Sequence, residues 1–275
     1  MTGLILAKLA GYALEGTAVA GAAIAWSVSR KCRLEAEDDE MLDALASGDA
    51  RVETLSSWED GLREQSALGR VRPDTIRELS RTQPGEWAEE EALVSAPGYE
   101  DAYERAGVSA LWLPACVACA AAGGLAGGAC SAALVATSCA IAACDLSWRV
   151  APVPLLGAYA LFGQLALSPN PFWAVVMGCV TLLALGCLTL AVGQGAFGFG
   201  DALAISAAVA ALSDATWGLF AYLASLVALS GGAWLYMTLR HRQMAAFAFC
   251  PLLVVPTLVA VLAAKSVPVS LLGVM

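Results

Sequence analysis

Residues 172–192 read FWAVVMGCVTLLALGCLTLAV, an apolar run without a single charged side chain. An α-helix needs about 20 predominantly apolar residues to cross the hydrocarbon core of a bilayer. Soluble domains are on average about half apolar, whereas 59% of this chain is hydrophobic. The run therefore predicts a membrane-spanning helix, and the composition predicts that it is one of several.

Seven further apolar segments accompany this run, and short polar or glycine-rich connections separate several of them. Their glycines and alanines suit close contact between helices in lipid. Together the segments predict an all-α integral membrane protein with about eight transmembrane helices. The other seven predicted spans are Leu4–Val28, Ala110–Ala126, Gly127–Cys144, Val153–Leu167, Ala202–Leu212, Trp217–Met237 and Ala245–Ala264.

Charge is concentrated between the first and the second span. Lys31–Gly107 contains 20 of the 24 acidic residues and 9 of the 15 basic ones, a net charge of −11. We therefore predict three parts: an N-terminal anchor helix (1–30), an acidic cytoplasmic insert (31–107) and a polytopic membrane core (108–275). The acidity belongs to the water-facing insert, so it gives no reason to expect a nucleic-acid partner. The expected partner of the remaining parts is the lipid bilayer.

Basic residues near the span ends predict the orientation in the membrane. The first span ends at Arg30 and Lys31, and basic residues beside a span favour the cytoplasmic side. Threading eight spans from an outer N-terminus then places three connections in the cytoplasm: the Asp145–Arg149 turn, the Gly193–Asp201 loop and the Arg240–Arg242 turn. The sequence thus predicts a multi-pass protein of the cytoplasmic (inner) membrane.

The cysteines and the single histidine offer little for metal binding. Eight of the nine cysteines lie in or beside apolar runs, where thiols serve as small packing groups. Cys116 and Cys119 form a CxxC pair, but a zinc site needs about four ligands, and His241 is the only histidine. We therefore expect neither a metal ion nor a cofactor.

Four acidic residues lie outside the insert: Glu15, Asp145, Asp201 and Asp214. An ionisable residue at membrane depth is costly and is by default a functional candidate. Asp214 falls in a predicted outer turn, where helix capping accounts for it, and Glu15 falls in the middle of the first span. Asp145 and Asp201 are both predicted at the cytoplasmic face, each at a helix end. Spacing alone leaves open whether they are two helix caps or a working pair.

A pair of neighbouring carboxylates has a defined chemistry. Both members cannot ionise easily, so one of them holds a proton. The ionised member can then activate a water molecule while the protonated member polarises a carbonyl group. This is the chemistry of aspartic proteolysis, and it requires no metal, thiolate or histidine.

The residues around the two aspartates narrow the choice. Residues 198–201 read GFGD, a GxGD sequence at the start of a predicted helix, and Asp145 is followed seven residues later by a proline that opens the next span. With the two acids 56 residues apart, this pattern resembles the type IV prepilin peptidase family of GxGD membrane aspartic proteases. A glycine-rich first span (Gly11–Gly21) and the segment Phe247–Pro251 before the last span extend the resemblance.

The resemblance implies a function for each part. Asp145 and Asp201 would form the catalytic pair of an aspartic endopeptidase that cuts the short basic leader of a prepilin or pseudopilin at the cytoplasmic face. The insert has only Cys32 and lacks the family's paired CxxC motifs, so the family's N-methyltransferase activity is not implied. The motif residues that would support the pair are Gly198, Phe199, Gly200 and Pro152.

Two other functions fit the sequence. One is a non-proteolytic relative of the family that serves as a membrane scaffold or assembly component. The other is a transporter, although no internal repeat is evident and the candidate acids lie near one face rather than at the midplane. Neither the particular substrate nor the oligomeric state can be predicted from the sequence.

Overall fold

The computed structural model describes residues 2–47, 72–82, 111–148, 150–167, 170–192, 199–239 and 249–266. Within these ranges the chain is almost entirely helical and contains no β-strand. The helices are α1 (Thr2–Ser47), α2 (Pro73–Thr82), α3 (Trp112–Gly127), α4 (Ala129–Trp148), α5 (Val153–Leu167), α6 (Pro171–Val192), α7 (Phe199–Leu212), α8 (Thr216–Leu239) and α9 (Val254–Ser266), the last preceded by a 3₁₀ turn at Cys250–Leu253.

Three stretches are long and apolar enough to cross a bilayer: Gly3–Arg33, Ala129–Trp148 and Pro171–Leu188. The other apolar helices supply described stretches of 10–17 residues. At about 1.5 Å per residue, 20 residues of helix cover about 30 Å, the thickness of the hydrocarbon core. The coarser part of the predicted fold class, an all-α chain with membrane-type helices, is thereby confirmed for the described residues. The count of eight spans and the acidic insert remain predictions.

The outer surface of α6 is apolar and exposed. Three of its large side chains, Phe172, Val175 and Leu183, have more than 60% of their surface accessible. Soluble monomers rarely expose a contiguous apolar patch larger than a few hundred Å². A helix with this surface is stable only where the surrounding medium is itself apolar, as in a lipid bilayer.

Contacts divide the chain into two compact units. The first comprises the described parts of residues 1–23, 110–146 and 150–275, and the second comprises those of residues 24–109 and 147–149. Helix α1 contributes its first half to one unit and its second half to the other. This grouping reflects packing, and the division into anchor, insert and core remains a prediction.

Small residues bring the helices of the first unit into close contact. A Cβ atom added to Gly16 of α1 would lie 2.7 Å from the Cα of Val117 in α3. One added to Gly163 of α5 would lie 2.7 Å from the Cα of Ala211 in α7. Backbones approach this closely only where the side chain is a single hydrogen atom, which is how helices associate in lipid.

Hydrogen bonds show which helix ends lie together in the first unit. Gln164 of α5 donates to the carbonyl of Ala210 in α7 at 2.6 Å. Lys265 of α9 donates to the carbonyl of Ala166 at 3.1 Å. The C-terminal ends of α5, α7 and α9 therefore meet, as expected when every second helix of a sequential antiparallel array points the same way.

The second unit is built on a longer first helix than the sequence predicts. The apolar run ends at Arg30, yet α1 continues through the acidic stretch to Ser47. Residues 35–46 contain neither proline nor glycine and are rich in good helix formers, so the helix continues beyond its apolar part. Arg30 lies over the ring of Trp148, 5.9 Å from the ring centroid.

A short amphipathic helix, α2, is the described part of the insert beyond α1. Ile76 and Leu79 are buried, as the i, i+3 spacing of an amphipathic helix allows. Arg72, directly before α2, forms an ion pair with Asp39 of α1. The rest of the predicted insert, residues 48–71 and 83–107, lies outside the described residues, as do Arg149 and the Arg240–Arg242 turn.

Substitution at two glycines of α5 tests the role of small residues in helix packing. Gly163→Ala should destabilise the protein by about 1–3 kcal/mol, because its methyl group would overlap the α7 backbone. A Cβ at Gly157 meets no described atom within 4 Å. Gly157→Ala should therefore be neutral or stabilise by up to about 1 kcal/mol, since alanine is the better helix former. The measurement is thermal unfolding in lipid nanodiscs, and equal effects of the two substitutions would contradict the packing described.

Candidate functional site

Asp145 lies in the last turn of α4 and not in the turn that follows it, where the sequence placed it. The helix continues three residues further, to Trp148, which is buried and donates from its indole nitrogen to the hydroxyl of Ser27. This contact holds the final turn of α4 in helical form. Asp145 itself is only 7% exposed, so its charge is largely withdrawn from solvent.

A backbone amide binds the Asp145 carboxylate. The N–H of Cys250 donates to Oδ2 of Asp145 at 2.9 Å. Cys250 begins the 3₁₀ turn that precedes α9, and the first N–H groups of a helical segment have no partner within that segment. Phe249 at the cap position provides no side-chain hydrogen bond to the turn. Asp145 thus caps the last helical segment from a position 105 residues earlier in the chain.

Asp201 lies in the first turn of α7 and is half-buried. A carboxylate in this position is favoured by the positive end of the helix dipole. The next residue, Ala202, is fully buried, which fixes the start of α7 against its neighbours. Asp201 is therefore held by a packed helix end and remains partly accessible.

The two aspartates lie near a common point, the side chain of Cys250. The Cys250 side chain is hydrogen-bonded to Asp145 and lies within electrostatic range of Asp201. Cys250 is 1% exposed, so this point is inside the protein. The C-terminal end of α4, the N-terminal end of α7 and the turn before α9 thus come together; we call this place the aspartate end.

The other predicted motif residues have different surroundings. Pro152 is buried, and its carbonyl accepts the first hydrogen bond of α5 from Leu156 at 3.0 Å. Gly200 is exposed, and a Cβ there would meet no described atom within 4 Å. The need for glycine at position 200 is therefore not steric in this conformation. Phe199 is the first residue of α7, and Gly198 lies outside the described residues.

The remaining two acids of the membrane part are separate from this site. Asp214 is exposed in the turn between α7 and α8, at the far end of α7 from Asp201. Glu15 is half-buried in α1, and its Oε2 atom has no hydrogen-bond partner within the described residues. The turn predicted at Asp214 is confirmed, and neither acid touches the aspartate end in the contacts the structure gives.

The CxxC pair packs against a third thiol. The thiol of Cys139 in α4 forms side-chain hydrogen bonds with those of Cys116 and Cys119 in α3. Within the described ranges no group of three or more His, Cys, Asp or Glu side chains has a geometry that could hold a metal ion. These thiols fill the α3–α4 contact.

A cavity of about 320 Å³ lies elsewhere in the first unit. It is lined by residues from the beginning of α1, among them Lys8 and Tyr12, and by Gly124–Gly128, which form the end of α3 and its junction with α4. Neither Asp145 nor Asp201 lines it. The cavity is therefore no part of the aspartate end.

Sequence reasoning missed the contribution of Cys250. A signal was present, because Pro251 directly after it marks the start of a helical segment, and such starts carry unpaired N–H groups. What the sequence does not contain is which distant acid accepts from that amide.

Comparisons of the chain with protein-family models, with curated proteins and with solved structures find no match.

Proposed function

We propose that this protein is a membrane aspartic endopeptidase in which Asp145 and Asp201 together hydrolyse a peptide bond. The observation that carries the proposal is that Cys250, whose amide binds the Asp145 carboxylate, is also within electrostatic range of Asp201. The chain has only four acids outside its predicted insert. The GxGD sequence before Asp201 and the proline seven residues after Asp145 add the resemblance to prepilin peptidases.

The proposed reaction uses one proton shared by the pair. The ionised carboxylate takes a proton from a water molecule, whose oxygen attacks the scissile carbonyl carbon. The protonated carboxyl gives its proton to the carbonyl oxygen, which yields a neutral tetrahedral diol. When the C–N bond breaks, the carboxyl that now holds the proton gives it to the leaving nitrogen. The other carboxylate takes a proton from a diol hydroxyl, so the pair is again singly protonated. No metal or thiolate takes part.

The proposed substrate is a prepilin or pseudopilin with a short basic leader. Net charge supports this choice, since Lys31–Gly107 carries −11 and would attract a basic segment. Gly200 is exposed, and no described atom lies within 4 Å of a Cβ placed there, which supports access of a peptide to Asp201. Cleavage would occur next to the hydrophobic helix of the substrate, which lies in the same bilayer.

In the proposed topology the chain crosses the cytoplasmic membrane eight times, with α1 and α3–α9 as the spans. Alternation of helix direction in the first unit supports this count. A cytoplasmic position for the aspartate end is supported by the arginines that are close to its residues in the sequence, namely Arg149, Arg240 and Arg242. Lys8 and Lys265 would then lie towards the outer face.

Single substitutions test the catalytic pair. Asp145→Asn and Asp201→Asn should each lower kcat/KM for a prepilin by roughly 100- to 10,000-fold, because an amide neither accepts nor donates the catalytic proton. Asparagine is about as good a helix cap as aspartate. Asp145→Asn should therefore keep thermal stability close to that of the wild type while activity is lost. The assay is co-expression with a prepilin and a gel shift that follows the leader.

Asp214→Asn is the matched control, since it removes the same charge from the other end of α7 and should leave cleavage unchanged. If cleavage survives either change in the pair, the pair does not catalyse the reaction. If the wild type, well expressed, leaves several candidate prepilins uncut, a non-proteolytic scaffold becomes the better account. A transporter would instead be indicated by solute uptake that depends on the same aspartates.

Cysteine accessibility tests the proposed topology. In a chain whose native cysteines are replaced, Lys8→Cys and Lys265→Cys should react with a membrane-impermeant maleimide added outside intact cells. Arg149→Cys and Arg242→Cys should react only after the membrane is permeabilised. The reverse pattern would place the aspartate end outside, and a mixture of the two would contradict the count of eight spans.

A further inference from the structure

The amide of Cys250 has a defined place at the proposed active site. It donates to Oδ2 of Asp145 at 2.9 Å, and both partners are almost fully buried. A hydrogen bond to a charged group is stronger and more directional than one between neutral groups. The bond therefore fixes the direction in which the Asp145 carboxylate points.

Two other residues of the turn offer this carboxylate no free backbone N–H. Pro251 has no N–H group, and the N–H of Leu252 donates to the carbonyl of Phe249 at 2.9 Å within the turn. The N–H of Cys250, in contrast, donates to an acceptor outside the turn, the Asp145 carboxylate. The buried side chain of Leu253 and the α9 residues Thr257 and Ala260, also buried, anchor the turn in the core.

We propose that Cys250 is a positioning residue of the peptidase site, which acts through its backbone amide by orienting the Asp145 carboxylate towards Asp201. This inference rests on the proposed function. It adds the turn before α9 as a third element beside α4 and α7. The thiol of Cys250 also hydrogen-bonds Asp145, so the contribution of the amide has to be measured with the side chain held constant. The Cys250 thiol is not itself a catalytic residue.

The decisive experiment removes the N–H group and leaves the side chain in place. An α-hydroxy acid inserted at position 250 during cell-free synthesis into nanodiscs turns the amide into an ester. The side chain is that of alanine in both arms: Cys250→Ala carries the amide, and lactic acid at the same position carries the ester. Cys250→Ala, which lacks the thiol but keeps the amide, gives the reference kcat for the ester. The ester should lower kcat by roughly 10- to 100-fold with KM unchanged, the effect of losing one hydrogen bond to a charged group.

A second ester at position 252 is the matched structural control. It removes the N–H of Leu252 and so breaks one hydrogen bond of the same turn without touching Asp145. This variant should lose thermal stability to a similar extent as the position-250 ester but keep its kcat. A position-250 ester with full kcat would overturn the proposal. Equal loss of kcat in both esters would overturn it as well, because the bond would then only stabilise the turn.

The same experiment separates failure of the inference from failure of the proposed function. Cleavage by the wild type and by Cys250→Ala, abolished by Asp201→Asn, establishes the peptidase on which the ester comparison depends. With that activity in hand, the ratio of the two ester variants decides the role of Cys250. If the wild type cuts no prepilin, the proposed function fails and the positioning role fails with it.

Discussion

Close approach of helix backbones at small residues is the constraint on which the rest of this structure depends. In lipid there is no hydrophobic force between helices, so they associate through tight packing and through polar contacts. Gly16, Gly163 and Gly218 each lie against the backbone of a neighbouring helix. The central helix α4 is consequently buried along most of its length, in contrast to α6 and the first half of α1, which remain exposed.

Burying a carboxylate at the end of such a helix costs free energy unless the carboxylate is bound. Asp145 is bound by the amide of Cys250, and Asp201 gains from its place in the first turn of α7. Both arrangements use groups that every helix start provides, the N–H groups without partners. Within the described residues, groups of helix starts thus accommodate both acids at one end of the helices. The same arrangement leaves a carboxyl pair able to share a proton.

Much of the fold could be predicted from the sequence because apolar length and turn residues determine it directly. The predicted span Val153–Leu167 coincides with α5, and Phe172–Val192 differs from α6 by one residue. The end of α1 could not be predicted in this way, since an acidic stretch of good helix formers extends a helix as readily as an apolar one. Asp145 lies within α4 and not in a loop because the buried Trp148, which contacts Ser27, extends that helix by three residues.

The site could be predicted only in part. The two aspartates stood out because ionisable residues are rare among apolar spans, and both are at helix ends as expected. Their common neighbour, Cys250, could not be found, because the partner of a backbone amide depends on how helices far apart in sequence pack. Gly200 was predicted as a motif residue that supports the pair, yet no described atom lies within 4 Å of a Cβ placed there. Local sequence thus identifies the acids, and tertiary packing determines what holds them.

The central claim is that Asp145 and Asp201 form one site, and cross-linking tests it without any substrate. In a chain with no other cysteine, Asp145→Cys and Asp201→Cys are combined and treated with a short, membrane-permeant bis-methanethiosulfonate. The account predicts an intramolecular cross-link between peptides of α4 and α7, detected by mass spectrometry. It predicts none when Asp145→Cys is combined with Asp214→Cys at the other end of α7. Failure of the first pair to cross-link, with both thiols reactive towards a single methanethiosulfonate, would contradict the account.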